Sequence, residues 1–357
     1  MKEYIALDSH KHYSLMERQD AQTGRTLQQR LAHHRGALCA GLGDCEPGSA
    51  VAVEATGNWY WIVGEIEQAG HRPLLVHPRK AKLMMGMINK TDALDVHGLN
   101  RLQQNGTLPT VWIPPAPLRD LRELTRTRLV LVANRTRLKN RLNATLAKHG
   151  LNIVASDPFG VGARRQWEKH LAELPPQTQF VTGQLLAQVD FLEPQIRQEE
   201  ERLEQLLQIT PAMQRLKTLP GFGLILAATV ALEIGDIDRF ATSEHLASYA
   251  GTTPRVHSSG DKTRYGRLRA DVNRYLKWAY VEAANVVSLQ QRRWADRHVV
   301  QLYRRIRQRR GHAKAIGAVA RHLAEASFWV LRRDEDYRDP ALKEGKVELT
   351  GSSASTA

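Results

Sequence analysis

The chain has 357 residues, with 51 Lys and Arg against 37 Asp and Glu, a formal net charge of +14. A hydrophobic fraction of 42% excludes global disorder, and two cysteines, Cys39 and Cys45, exclude a disulfide scaffold or a Cys-rich zinc site. The longest apolar stretch, Gly223 to Gly235, is too short to span a membrane, and the opening MKEYIALDSH lacks the pattern of a secretory signal. The expectation is a soluble cytoplasmic protein of two or three domains, whose basic excess favours nucleic acid over a membrane surface.

Tyr4 to Leu7 forms an apolar run ending at Asp8, and Tyr13 to Arg18 and Thr26 to Leu31 are two further strand-like segments. Gly36 to Leu42 fits a short helix and Val51 to Glu54 a compact strand. Trp59 to Ala69 has helical spacing, with Trp59, Ile62, Val63 and Ile66 on one face. Pro73 to His77 reads as another strand; Pro78 then opens helical sequence, and Thr91 to Gln104 keeps an apolar stripe. The predicted order is β-β-β-α-β-α-β-α. Proline-rich Leu108 to Pro117 reads as a linker, followed by two long helices, Leu118 to His149 and Phe180 to Ile209, that suit an antiparallel arm. Ala241 to Leu331 reads as helical, interrupted by a Gly/Ser/Arg-rich stretch from Gly251 to Arg269, and the polar residues 334–357 are expected to be disordered.

Two segments hold the basic excess. Leu121 to Gly150 carries eight Lys/Arg, Arg135 and Lys139 among them, against Glu123 alone, and Gly251 to Ala315 carries 16 against four acids. Solvated helix faces would account for part of this, but such clustering fits phosphate contact better.

In the first hundred residues Asp8 ends a strand, Glu54 ends another before the Thr56-Gly57 turn, and Asp92 and Asp95 lie at i, i+3 on one helix face. Each alone is most simply a cap or surface residue. Gathered at the end of one mixed sheet, four carboxylates would repel one another without a cation, and hard oxygen ligands favour Mg²⁺ or Mn²⁺. Two such ions serve phosphoryl transfer by activating a nucleophile and stabilising the leaving oxygen.

A second constellation is basic. Ser259 precedes Gly260 in backbone that a phosphate can approach, framed by Arg255, Lys262, Arg264, Arg267 and Arg274. Spacing alone leaves two readings, a nucleophilic serine and a plain phosphate-binding loop. Leu219-Pro-Gly-Phe-Gly223 has the form of a helix-hairpin-helix turn whose glycines, Gly221 and Gly223, let amides face a phosphate; an ordinary helix–helix turn is the alternative. Trp278 and Trp294 lie where base stacking is worth considering.

YIALD, VEATGNWY, NKTDALDVHGL, LPGFG and ASYAGTTPRVHSSGDKTRYGR occur in that order. Through them the chain resembles insertion-sequence transposases of the 110/1111 type over roughly residues 1 to 330. The resemblance implies an α/β RNase H-like (RuvC-like) DEDD domain over 1–110, a helical coiled-coil arm over 111–209 and a mostly helical serine transposase domain over 210–333. It implies a DNA recombinase that moves its own element, guided by an element-encoded non-coding RNA. Asp8, Glu54, Asp92 and Asp95 then correspond to metal ligands and Ser259 to a nucleophile that forms a phosphoserine link. The working form is at least a dimer, dimer or tetramer, with composite sites. Val96-His97 departs from the small residue usual after the last carboxylate, and His97 is placed to tune Asp95. Competing readings are a metal-dependent junction-resolvase-like nuclease, in which water attacks, and a non-enzymatic nucleic-acid-binding protein. An actin-like ATPase would share the early strands and Asp, but no glycine-rich phosphate loop follows.

Overall fold

The computed structural model describes residues 3–86, 91–260, 262–268 and 272–340, with the backbone alone for 207–209 and 262–263. The chain divides into two units, Met1–Pro114 and Pro115–Ala357.

The first unit opens with a meander of β1 (Glu3–Ser9), β2 (Tyr13–Asp20) and β3 (Thr26–Ala32). Asp20 closes the β2–β3 turn, its Oδ1 accepting from the amides of Gln22 (2.9 Å) and Thr23 (2.7 Å). There follow α1 (Ala37–Leu42), β4 (Ala50–Glu54), α2 (Trp59–Gln68), β5 (Arg72–Val76), α3 (Pro78–Met85) and α4 (Asp92–Gln104). The strand order is β3-β2-β1-β4-β5; β4 pairs in parallel with β1 and β5, whereas β2 is antiparallel to both neighbours. The predicted element order holds, with the last helical stretch resolved into α3 and α4. The expected linker is partly built into this unit: Thr110 bridges Val76, the Val111 amide donates to the Leu75 carbonyl at 2.7 Å, and Val111 and Ile113 pack on the core.

The central strands carry apolar side chains on both faces because helices cover both. Ile5, Leu7, Val51 and Val53 face α1 and α2, meeting Leu38, Leu42, Ile62 and Ile66. On the other face Ala6 and Ala52 lie side by side in register, and Val96, Leu99 and Leu102 of α4 pack on them. Two alanines leave room for a helix to lie close to the sheet.

The second unit contains α5 (Ala116–Lys148), α6 (Arg164–Glu173), α7 (Pro176–Ile209), α8 (Pro211–Leu216), α9 (Leu224–Ile234) and α10 (Ser243–Tyr249). After them come β6 (Pro254–Ser259), β7 (Lys262–Leu268), α11 (Arg274–Leu289), α12 (His298–Arg310) and α13 (His312–Arg333). α5 and α7 lie antiparallel: Arg128 meets Glu200, while Arg135 and Lys139 meet Glu193. The main core joins α9, α11, α12 and α13 through Val230, Ala283, Tyr303 and Leu323. The stretch Gly251 to Arg269, expected as a loop, is in its described part an antiparallel two-stranded ribbon, β6 on β7, in which Ser259 pairs with Lys262. Val256 and Tyr265 face each other in register across the ribbon, an apolar pair that the abundance of Gly, Ser and Arg hides in the sequence.

Residues 334–340, counted from composition in the disordered tail, are held on this unit. The Tyr337 amide donates to Thr218 Oγ1 at 2.8 Å, and Asp339 accepts from the His298 amide at 3.1 Å. The rest of that tail, 341–357, lies outside the described residues.

Candidate active site

Strand register explains why two acidic residues far apart in sequence become neighbours. Leu7 pairs with Val53 in the parallel β1–β4 ladder, so the next residues are Asp8 and Glu54. By strand alternation both share the face of Ala6 and Ala52, the face that α4 covers. Gln103 near the end of α4 donates to the Ala50 carbonyl at 3.0 Å, so that helix end lies over the start of β4 and its N-terminus over the strand ends. Thr91 caps α4, its Oγ1 accepting from the Leu94 amide at 3.2 Å, and Asp92 and Asp95 occupy the first turn, where the helix dipole favours negative charge.

A histidine joins them. His10 Nε2 stands 3.2 Å from Asp8 Oδ2 and 3.1 Å from Asp92 Oδ2, and Tyr13 donates its hydroxyl to Asp92 Oδ2 at 2.7 Å. That hydrogen bond raises the Tyr13 phenol above its ordinary pKa, with burial adding to the effect. Ligand atoms of Asp8, His10 and Asp92 all lie within 4.8 Å of one another, the one such group of three among the described residues. Two carboxylates and one imidazole are donors of the kinds that hold a divalent first-row or magnesium ion. Glu54 and Asp95 stand at the adjacent strand end and one turn along α4, outside this tightest group. His97, expected to tune Asp95, places Nδ1 3.1 Å from Oε1 of the buried Glu17, which Asn100 also reaches at 3.0 Å, while its own ring stays partly exposed. Sequence reading passed over His10, which follows the last residue of β1 and stands only two residues after Asp8, near enough along the chain to share its site.

Ser259 ends β6 beside Gly260, whose φ of +57° makes the ribbon turn. Ser259, His257 and Arg264 share one ribbon face by register, and residues 255–259 and 264–267 are exposed on both faces. Arg255, Arg264 and Arg267 are thus open to a polyanion, while Arg274 opens α11 and donates to the Tyr275 hydroxyl at 3.2 Å. The side chain of Lys262 lies outside the described residues. The LPGFG turn joins α8 to α9. Gly221 has φ +84°, and a Cβ there would come within 2.5 Å of the Ala283 carbonyl of α11, so packing alone requires this glycine. Gly223 caps α9 with no side-chain hydrogen bond and open space around it. Lys217, Arg293 and Trp294 line a cleft with both glycines. Arg135 and Lys139 both hydrogen-bond to Glu193, at 2.8 and 3.0 Å. No helix among the described residues is long and apolar enough to cross a membrane.

Residues 5–150 match a family model described as transposase, of the IS110 DEDD type, and residues 213–299 match one described as transposase IS116/IS110/IS902 family. The chain is 27% identical over 248 residues to a probable family 20 transposase of Pseudomonas aeruginosa, covering 68% of this chain and 72% of that protein. It is 26% identical over 286 residues to the transposase for insertion sequence element IS1328 of Yersinia enterocolitica, covering 79% and 83%. Over 298 residues it is 26% identical to the transposase for IS1111A of Coxiella burnetii, covering 81% and 79%.

Proposed function

Since the chain belongs to the IS116/IS110/IS902 transposase family, a family of DNA-recombining enzymes, we propose that it excises and inserts an insertion sequence through a phosphoserine link at Ser259. The meeting of Asp8, His10 and Asp92 at one end of a mixed sheet carries this reading. A sheet in which β2 alone runs antiparallel, with carboxylates at two adjacent parallel strand ends and on the helix above, supports an RNase H-like (RuvC-like) fold for residues 1–110. Residues 111–209 form the arm and 210–333 the serine domain, with LPGFG as a helix-hairpin-helix-like turn.

Asp8, His10 and Asp92, completed by Glu54 and Asp95, would hold Mg²⁺ or Mn²⁺, which when bound polarises a phosphate and eases loss of a hydroxyl proton. In the step itself the Ser259 Oγ bonds to phosphorus, a sugar oxygen leaves and takes up the proton, and reversal reseals the strand. Arg255, Arg264 and Arg267 hold the attacked phosphate and offset its equatorial charge; Lys262 and Arg274 belong to the same frame. Gly221 and Gly223, with Lys217 and Arg293, contact the backbone of the duplex. The family resemblance supports the remaining parts of the reading: an element-encoded RNA that selects target and donor DNA by base pairing, and a dimer or tetramer in the bacterial cytoplasm that pairs the carboxylates of one copy with the serine of another.

Incubation with element-end DNA, guide RNA and Mg²⁺, followed by denaturation, tests the reading. Ser259→Ala is expected to abolish the covalent protein–DNA adduct and Asp92→Asn to slow it by roughly 1000-fold, both with RNA binding intact. Cleavage without an adduct, unchanged in Ser259→Ala, would assign the attack to water and the protein to the resolvase-like class.

A further inference from the structure

One buried carboxylate ties the foot of the serine ribbon to the long basic helix. Glu233, next to last in α9, is fully buried. Arg126 of α5 forks onto it, Nε to Oε1 at 2.7 Å and Nη2 to Oε2 at 3.0 Å. Arg122, one turn earlier, keeps Nε 3.8 Å from Oε2 and donates to the carbonyls of Leu232 and Glu233. Asn273 Nδ2 also donates to Glu233 Oε2, at 2.8 Å.

Asn273 is also the residue on which the ribbon's exit turns. It caps α11, its Oδ1 accepting from the amides of Tyr275 (3.0 Å) and Leu276 (3.1 Å), and its own amide donates to the Tyr249 carbonyl at 3.0 Å. Tyr249 ends α10 on the entry side. Between them Gly251, at φ +69°, lies so close to Val272 that a Cβ would come within 2.4 Å of its Cγ2. Entry and exit are therefore pressed together, and the Arg126 guanidinium lies 4.7 Å over the Tyr275 ring to close the same corner.

Burying a charged group is unfavourable unless every polar atom finds a partner, and an apolar core would serve stability as well. What a satisfied buried network provides is one geometry. The ribbon needs that from its foot, because a two-stranded hairpin exposed on both faces has little stability of its own.

We propose that Glu233 is a positioning residue for Ser259: through Asn273 it locks the foot of the β6–β7 ribbon to α5 and α9, so that the serine is presented in one orientation. The proposal rests on the nucleophile reading of Ser259. Asn273→Ser in the full chain separates the two roles of the asparagine, since a serine oxygen still caps α11 but cannot donate to Glu233 and cap at once. Hydrogen exchange at the amides of Gly251, Thr252 and Asn273 is expected to speed up about tenfold, with the amides of Val230 and Ala283 unchanged. Adduct formation is expected to slow about tenfold with DNA affinity within twofold. Asn273→Asp sets two carboxylates against each other and is expected to be worse; adding Glu233→Gln, which exchanges donor and acceptor, is expected to recover part of the rate. Unchanged exchange in a chain that does form the adduct, or a double variant no better than Asn273→Asp, overturns the clamp. A parent chain that forms no adduct overturns the serine reading on which it rests, whatever the exchange shows.

Discussion

His10 differs from its acidic neighbours in the kind of atom it offers. A nitrogen donor 3.1 Å from one carboxylate and 3.2 Å from another adds little affinity for Mg²⁺, which prefers oxygen and keeps its waters, but more for Mn²⁺. His10→Ala is therefore expected to weaken Mn²⁺ binding by roughly 10- to 100-fold and Mg²⁺ binding by much less. Isothermal calorimetry with each ion alone reads this without any DNA; equal losses for the two ions would make His10 a mere spacer between carboxylates. Tyr13 plays a different part at the same oxygen. As a hydrogen-bond donor to Asp92 it aims one carboxylate oxygen, and the Arg30 guanidinium over its ring, 3.7 Å from the centroid, holds the phenol in place.

Among the elements, the two basic segments differ once folded. On α5 much of the charge seen in sequence is already paired across the arm: Arg128 with Glu200, and both Arg135 and Lys139 with Glu193. Burial opposes the Glu193 charge, yet the hydrogen bonds from Lys139 and Arg135 prevail and hold its carboxyl below the usual range. As phosphate contacts these two cations must leave Glu193 first. On α12, by contrast, Arg304, Arg305, Arg307, Arg309 and Arg310 are exposed, and no acidic residue occurs between Asp296 and Glu325. Each phosphate contact contributes about 0.9 to the slope of log K against log salt. Arg305→Ala with Arg309→Ala is expected to lower that slope by about 2, and Glu193→Gln to raise it by freeing α5, both measured by fluorescence titration. A slope that does not move in the first variant leaves α12 facing water.

For the molecule as a whole, stability carries a pH dependence that can be assigned. His322 is pushed down to about 4 by burial, with the nearby His298 adding to the shift and Asp339 opposing it. The ring centroids of the two histidines are 4.8 Å apart, and the Tyr337 hydroxyl lies 3.4 Å from His322 Nε2. A histidine buried in its neutral form binds a proton more readily when unfolded, where it titrates near 6.5. Its contribution is thus complete above pH 6.5 and is lost as pH falls toward 4, by about 3 kcal/mol over that window. Denaturant unfolding at pH 7 and pH 4.5 is expected to show the loss in the parent and most of it removed in His322→Gln; equal losses would place the acid sensitivity elsewhere.

Much of the first unit was legible because its signals are local. Alternation and apolar runs mark β1, β2, β4 and β5, Thr91 and the following carboxylates mark the start of α4, and Asp8, Glu54, Asp92 and Asp95 fall at element ends where chemistry collects. The ribbon was less so, since between its ends Val256 and Tyr265 are the one apolar pair among the described residues, and a single residue per strand does not betray a period. By itself the sequence determined the order of elements, the places of the four carboxylates and the clustering of positive charge. Tertiary structure alone decided that His10 lies between Asp8 and Asp92, that Glu193 takes up two of the arm's cations, and that Glu233 grips the ribbon's foot. The reason is physical: periodicity and propensity act over a few neighbours along the chain, whereas these contacts depend on register and packing between segments that the sequence keeps far apart.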